Sequence, residues 1–148
     1  MIRKATPTDI AGMTNIYNEA ILEGGFTGDL IPLSEENRTM WFNEHDERYA
    51  IFVTETRGVL VGYLALSPYR KGRQAFSGTV EISYYLASKY RGQGIGKQLL
   101  THALGHARTA GFHLIVAIIL GCNQRSISLL ENSGFSECGR LPGAANIN

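Results

Sequence analysis

The stretch Arg91-Gly92-Gln93-Gly94-Ile95-Gly96-Lys97 puts three glycines within five positions, directly ahead of apolar residues at helical spacing. Bare backbone before a helix lets an anion approach main-chain N–H groups, and the helix N-terminus adds roughly half a positive charge. Phosphate binding is the chemistry this arrangement supports. Spacing decides which phosphate loop it is. A dinucleotide fingerprint needs glycines at relative positions 1, 3 and 6; counted from Gly92 the third falls on Lys97, and from Gly94 on Leu99. No acid stands ~20 residues further on to hold a ribose hydroxyl. A phosphate-loop NTPase needs Gly first and Ser or Thr last, where this chain has Arg91 and Gln98. Both nucleotide readings fail on required residues.

A second group with chemical potential is Glu81. In the alternating segment TVEISYYLA, Val80, Ile82, Tyr84 and Leu86 share one face, and Glu81, Ser83 and Tyr85 the other. A carboxylate on a strand that borders a cleft can accept a proton, and burial raises its pKa toward that task. Metal chemistry is not expected. Cys122 and Cys138 read as reduced thiols, and His45, His102, His106 and His113 are scattered. His102 and His106 lie one helical turn apart but without the intervening Glu of zinc-protease helices, so they read as a solvated face.

These groups need elements to position them. Thr6-Pro7-Thr8-Asp9 opens a helix, and Ile10, Met13, Ile16, Tyr17, Ala20 and Ile21 continue it to the glycines at 24 and 25. An irregular loop, EGGFTGDLIPL, leads to a second helix opened by Ser34, with Met40 and Trp41 expected on its buried side. AIFVTE and VLVGYLAL read as a hairpin, followed by the loop SPYRKGRQAFSG and the alternating strand. A helix from about Gly94 to Ala110 comes next. FHLIVAIIL, apolar throughout, reads as a central strand covered on both faces. A short helix from Asn123 to Gly134 and a last short strand, FSECGRL, complete the order β-α-α-β-β-β-α-β-α-β. The expected fold is α/β, a mixed sheet flanked by helices, in a single domain over residues 1–148.

Composition narrows the partners. Hydrophobic residues make up 44% and charged residues 18% of 148, and the formal net charge is +1. No global field argues for nucleic acid. The run Leu114 to Leu120 is far short of the ~20 residues that span a bilayer. The N-terminus lacks the apolar stretch of a signal peptide, so a cytoplasmic location is expected and no membrane partner.

What remains of the glycine loop is Arg91-x-x-Gly94-x-Gly96 between a strand and a helix, with GCNQRSISLLENSGF following at a set distance. In this the chain resembles the GCN5-related N-acetyltransferases over Ile2 to Ala144. IYNEAI, TVEISYYL and GRLPG are similar to the phosphinothricin and methionine sulfone/sulfoximine N-acetyltransferases. The resemblance implies a mostly antiparallel sheet splayed at an acetyl-CoA site, and transfer of acetyl to the primary amine of a small amino-acid-like molecule. It implies that Arg91, Gly92, Gln93, Gly94, Ile95, Gly96 and Lys97 hold pyrophosphate, and that Tyr84, Tyr85 and Leu86 pair with the pantetheine arm. Asn123 contacts that arm in this reading, caps the following helix in the plainer one, and the two are compatible. Glu81 is the implied base, with a structural carboxylate as the alternative. Phe26, Thr27, Tyr69 and Arg73 are implied at the acceptor, although the basic loop also reads as a solvated turn.

Two departures accompany the resemblance. The family's usual proton donor on the last helix, a Tyr or His, falls here on Leu130, which cannot donate. The subgroup usually continues past GRLPG into one more strand, whereas this chain ends at AANIN, so the final strand is expected to be missing. A homodimer is implied by the subgroup and by that open edge. The alternative function is a non-catalytic acyl-CoA-binding or assembly module.

Overall fold

The computed structural model describes residues 1–147. Five strands form one sheet in the spatial order β1 (Ile2–Lys4), β2 (Ile51–Thr56), β3 (Val59–Pro68), β4 (Thr79–Leu86), β5 (Leu114–Ala117). The first four pair antiparallel, and β4 pairs with β5 in parallel. Helices α1 (Ile10–Glu23) and α2 (Glu35–Asn43) join β1 to β2, while α3 (Ile95–Thr109) joins β4 to β5 and α4 (Gln124–Asn132) follows. The β2–β3 turn is two residues, Arg57 and Gly58, both at positive φ (52° and 76°), the geometry that matches strand twist in a tight hairpin.

The period-2 pattern of the strands sorts side chains to two cores. Phe52, Leu64, Leu66, Val80 and Ile82 pack with Leu99, Leu100, Ala103 and Ala107 of α3 and with Leu130 of α4. On the other face Ile51, Val53, Tyr63 and Ala65 meet Ile10, Met13, Ile16, Tyr17 and Ile21 of α1. The sheet is thereby covered on both sides, as the helix pattern predicts.

Four expectations need correction. The apolar run after Phe112 is not a central strand: β5 is a short edge, with Leu114 52% exposed, and the chain leaves the sheet after Ala117. No strand follows α4 among the described residues, so FSECGRL is irregular. On α2 it is Arg38 that turns inward (5% exposed), while Met40 is 65% exposed; one turn of helix aligns Arg38 with Trp41 and carries Met40 to solvent. His102 is exposed as expected, but His106 is only partly so: both rings lie against Phe52, and His106 Nε2 lies 3.2 Å from the Arg48 carbonyl oxygen.

Candidate active site

The site forms where β4 loses a neighbour. β3 follows β4 from Val80 to Leu86, but β5 follows it only from Thr79 to Ile82. From Ser83 to Leu86 one edge of β4 carries no strand among the described residues, and the splay expected at this point is present. A cleft of about 300 Å³ opens there. Its far wall is Ile118 and Ile119, the residues just past β5, and Leu129 of α4. The apolar run therefore continues beyond the strand to line a cleft rather than to fill a second core.

The glycine loop closes one end of this cleft. Gly92 and Gly94 stand at φ +75° and +83°, and a Cβ on either would meet nothing within 4 Å. The loop thus presents bare backbone toward open space, and Gly94 is the N-cap of α3, whose first amides have no intrahelical acceptor. Gly92, Gly94, Gly96 and Lys97 line the cleft, as do Tyr84, Tyr85, Leu86, Arg91 and Asn123. Gln93 and Ile95 do not: the Gln93 amide folds back to donate to the Lys89 carbonyl oxygen at 3.1 Å, and Ile95 packs into the α3 core. Asn123 does cap α4, accepting from the Ser126 N–H at 3.2 Å, and the residue also borders the cleft, so the cap does not remove it from the place the cofactor reading gives it. Arg125, in the first turn of α4, adds a cation the sequence reading missed; its signal was only position, two residues after Asn123. An open amide cradle, flanking cations and an apolar channel fit a pyrophosphate joined to a long, thin arm.

Beyond β4 lies a second cavity of about 350 Å³, lined by Tyr17, Asp29, Leu33, Asn37, Arg38, Trp41, Tyr63, Ser83 and Tyr85. Ser83 and Tyr85 border both cavities, so β4 is their common wall. Phe26 reaches the first cavity, and Thr27 accepts or donates at 2.7 Å to the Tyr17 hydroxyl beside the second. Tyr17 also donates to Asp29, and burial with that carboxylate nearby pushes its pKa up. Tyr69 and Arg73 border neither cavity; they sit on the β3–β4 loop, where Tyr69 packs edge-on to Phe76.

Glu81 shares the strand face of Ser83 and Tyr85, two residues (~7 Å) up β4 from Ser83, but it lines neither cavity itself. Its carboxyl is half-buried, and desolvation pushes its pKa above the ordinary carboxylate range. That is the direction a proton acceptor working near neutral pH needs. Leu130 is 6% exposed in the apolar core, which fixes it as packing. The Tyr84 hydroxyl is buried beside the Ser126 side chain of α4, and desolvation raises its pKa. Among the described residues no three His, Cys, Asp or Glu are grouped to hold a metal, and no helix is long and apolar enough to cross a membrane.

A splayed mixed sheet with an amide cradle at the splay defines an acyl-CoA-dependent transferase. The family model for the acetyltransferase (GNAT) family matches residues 12–135, and the chain belongs to that family. It is an acetyl-CoA-dependent acetyltransferase, as the resemblance implies. A methionine sulfoximine/methionine sulfone acetyltransferase from Pseudomonas aeruginosa is 35% identical over 143 residues, covering 95% of this chain and 83% of that protein. The structure of a ribosomal-protein-alanine N-acetyltransferase from Brucella melitensis superposes with a TM-score of 0.93 at 34% identity, covering 99% of this chain and 90% of that one. A phosphinothricin acetyltransferase from Sinorhizobium meliloti, in complex with AcCoA, superposes with a TM-score of 0.89 at 35% identity, covering 94% and 76%.

Proposed function

We propose that this acetyltransferase acts on the primary amine of a small amino-acid-like acceptor of the phosphinothricin or methionine sulfone/sulfoximine type. The observation that carries the reading is the shared wall: a polar cavity and the cofactor cleft meet at Ser83 and Tyr85. An amine held in the first faces the arm held in the second. The names of relatives that cover most of both chains support the acceptor class.

Acetyl-CoA, when bound, supplies a thioester carbonyl open to attack by a neutral amine. In this proposal the main-chain N–H groups of Gly92 to Lys97 hold its pyrophosphate, with Arg91 at the loop entrance. The free edge of Tyr84, Tyr85 and Leu86 pairs with the arm, beside Asn123, and an N–H there polarises the carbonyl. Glu81 takes the amine's proton through a water. Thr27 borders the acceptor beside Tyr17, and Phe26 stands on the cofactor side of the shared wall. Tyr69 and Arg73 reach an acceptor only if a second copy presents its β3–β4 loop, and we propose a homodimer in the cytoplasm. Light scattering at micromolar concentration checks this; a monomer would count against it.

The deciding experiment is free-thiol release from acetyl-CoA across phosphinothricin, methionine sulfone and sulfoximine, ordinary amino acids, polyamines and peptides with N-terminal alanine. Release with the first group is expected. Release confined to peptides would move the acceptor class to protein N-termini.

A further inference from the structure

We propose that Arg38 binds the acidic group of the acceptor, the carboxylate of an amino-acid-like amine, and so determines which amines are acetylated. The inference rests on the acetyltransferase reading above and adds to it a specificity-determining residue outside the family's loop motifs.

Arg38 is 95% buried (5% exposed) on the wall of the polar cavity. Burial of a guanidinium ordinarily comes with a carboxylate, because its charge is costly out of water and is not shed by deprotonation. Here no carboxylate of the described residues lies within 4 Å of it: the ion pairs involve Arg3, Lys4, Arg91 and Arg140 instead. Asp29 lines the same cavity without pairing to it, its carboxylate engaged by the Tyr17 hydroxyl.

The guanidinium is nevertheless held firmly. Its carbon lies 3.7 Å from the Trp41 ring centroid and 4.5 Å from that of Tyr17, and one terminal nitrogen donates to the Tyr63 hydroxyl at 2.9 Å. Ring stacking uses the faces of the group and leaves its in-plane N–H fork to other partners. The buried Nε has no hydrogen-bond partner among the described residues. A rigid, desolvated cation with donors unspent is a receptor for a bidentate anion. A carboxylate satisfies it; a neutral or cationic ligand leaves it unmatched. Because the cavity ends on Ser83 and Tyr85, a molecule anchored at Arg38 turns its other end toward the cofactor cleft.

The test compares L-methionine sulfone with its carboxamide, and with spermidine, as acceptors for the wild-type chain, Arg38→Gln and Arg38→Lys. The wild type is expected to prefer the carboxylate over the carboxamide by 100-fold or more in kcat/KM (about 2.8 kcal/mol at tenfold per 1.4 kcal/mol). Arg38→Gln should shrink that ratio to within about threefold through KM, leaving KM for acetyl-CoA and turnover of the carboxamide in place; Arg38→Lys should fall between. A folded Arg38→Gln that keeps the wild-type ratio overturns the proposal, as does a wild type that favours the carboxamide or spermidine. Should neither variant fold, a wild-type crystal with L-methionine sulfone decides. Carboxylate oxygens within hydrogen-bond distance of Arg38 uphold the assignment, and a carboxylate on Arg73 or in solvent overturns it. If no amine in the wider panel releases thiol, it is the proposed acceptor class that fails.

Discussion

Arg91 and Glu23 meet at 2.6 Å, joining the start of the glycine loop to the last residue of α1. The same guanidinium donates through Nε to the Leu86 carbonyl oxygen at 3.2 Å and lies 4.3 Å from the Phe26 ring centroid. Arg91 therefore ties three segments around the cleft mouth as well as facing it. Glu23→Gln removes one tie and is expected to weaken acetyl-CoA binding only two- to fivefold, since a partly exposed pair contributes about 0.5–1 kcal/mol. Calorimetric titration at low and high salt checks this, and the gap between variant and wild type should narrow as salt screens the pair. A tenfold loss at both salts would mean that Glu23 does more than position Arg91.

Gly94→Val tests the cradle itself. The position is left-handed, at φ +83°, and the added side chain would stand in the open space the backbone faces. A β-branched residue there costs about 1–2 kcal/mol in backbone strain. Affinity for acetyl-CoA should fall tenfold or more, roughly 1.4 kcal/mol, in a chain that still folds. Unchanged affinity in a folded variant would remove the loop from pyrophosphate binding.

Glu81→Gln separates catalysis from stability by sign. Because burial raises the Glu81 pKa, the folded state favours the protonated carboxyl. Its contribution is present below the unfolded pKa and lost as pH rises through the folded one, so ionised Glu81 is a cost at neutral pH. The variant should therefore melt no lower than wild type at pH 7 and lose any advantage on acidification, while turnover falls by roughly 10² or more. Rate against pH should lose its acid limb. A variant that melts lower yet keeps the wild-type rate and acid limb would make Glu81 structural.

Gly62→Ala probes how β3 shapes the cleft. A Cβ at Gly62 would come within 2.4 Å of Leu86 Cδ2 and 3.2 Å of the Tyr85 carbonyl oxygen. Leu86 can swing away, but toward the cleft it lines, while the Tyr85 backbone has less room. A loss of about 1–3 kcal/mol in stability is expected, together with weaker acetyl-CoA binding. Thermal melts with and without acetyl-CoA would show both; a variant with wild-type melting and affinity would show that β3 and β4 yield freely here.

The cradle was legible in the sequence because its information is local: glycines, an arginine and a helix start lie in one run. The two-faced cores were legible for the same reason, as periods of 2 and 3.6 can be counted along each segment. Arg38 was not. It sits in EENRTMWFN, a short polar helix in which a charged residue reads as solvent-facing, and its burial is made by Tyr63 and Tyr17 from other elements. Ile118 and Ile119 misled in the opposite way. An apolar run looks alike whether it fills a core or walls a cleft, and only the divergence of β5 from β4 distinguishes the two. Tyr69 and Arg73 carry suggestive chemistry but lie on a loop whose direction no local pattern dictates.

The unpaired edge of β4 from Ser83 to Leu86 has a thermodynamic consequence for the whole chain. With the arm of acetyl-CoA paired there as proposed above, the sheet would hold part of its folding free energy outside its own sequence. By mass action that share grows with the supply of the metabolite, reaching about 2.7 kcal/mol at a concentration 100 times its dissociation constant. Amide exchange along Ser83–Leu86 should slow in step with it. The abundance of the folded protein would then follow the acetyl-CoA supply, so that the donor sets how much enzyme survives as well as how fast each molecule works.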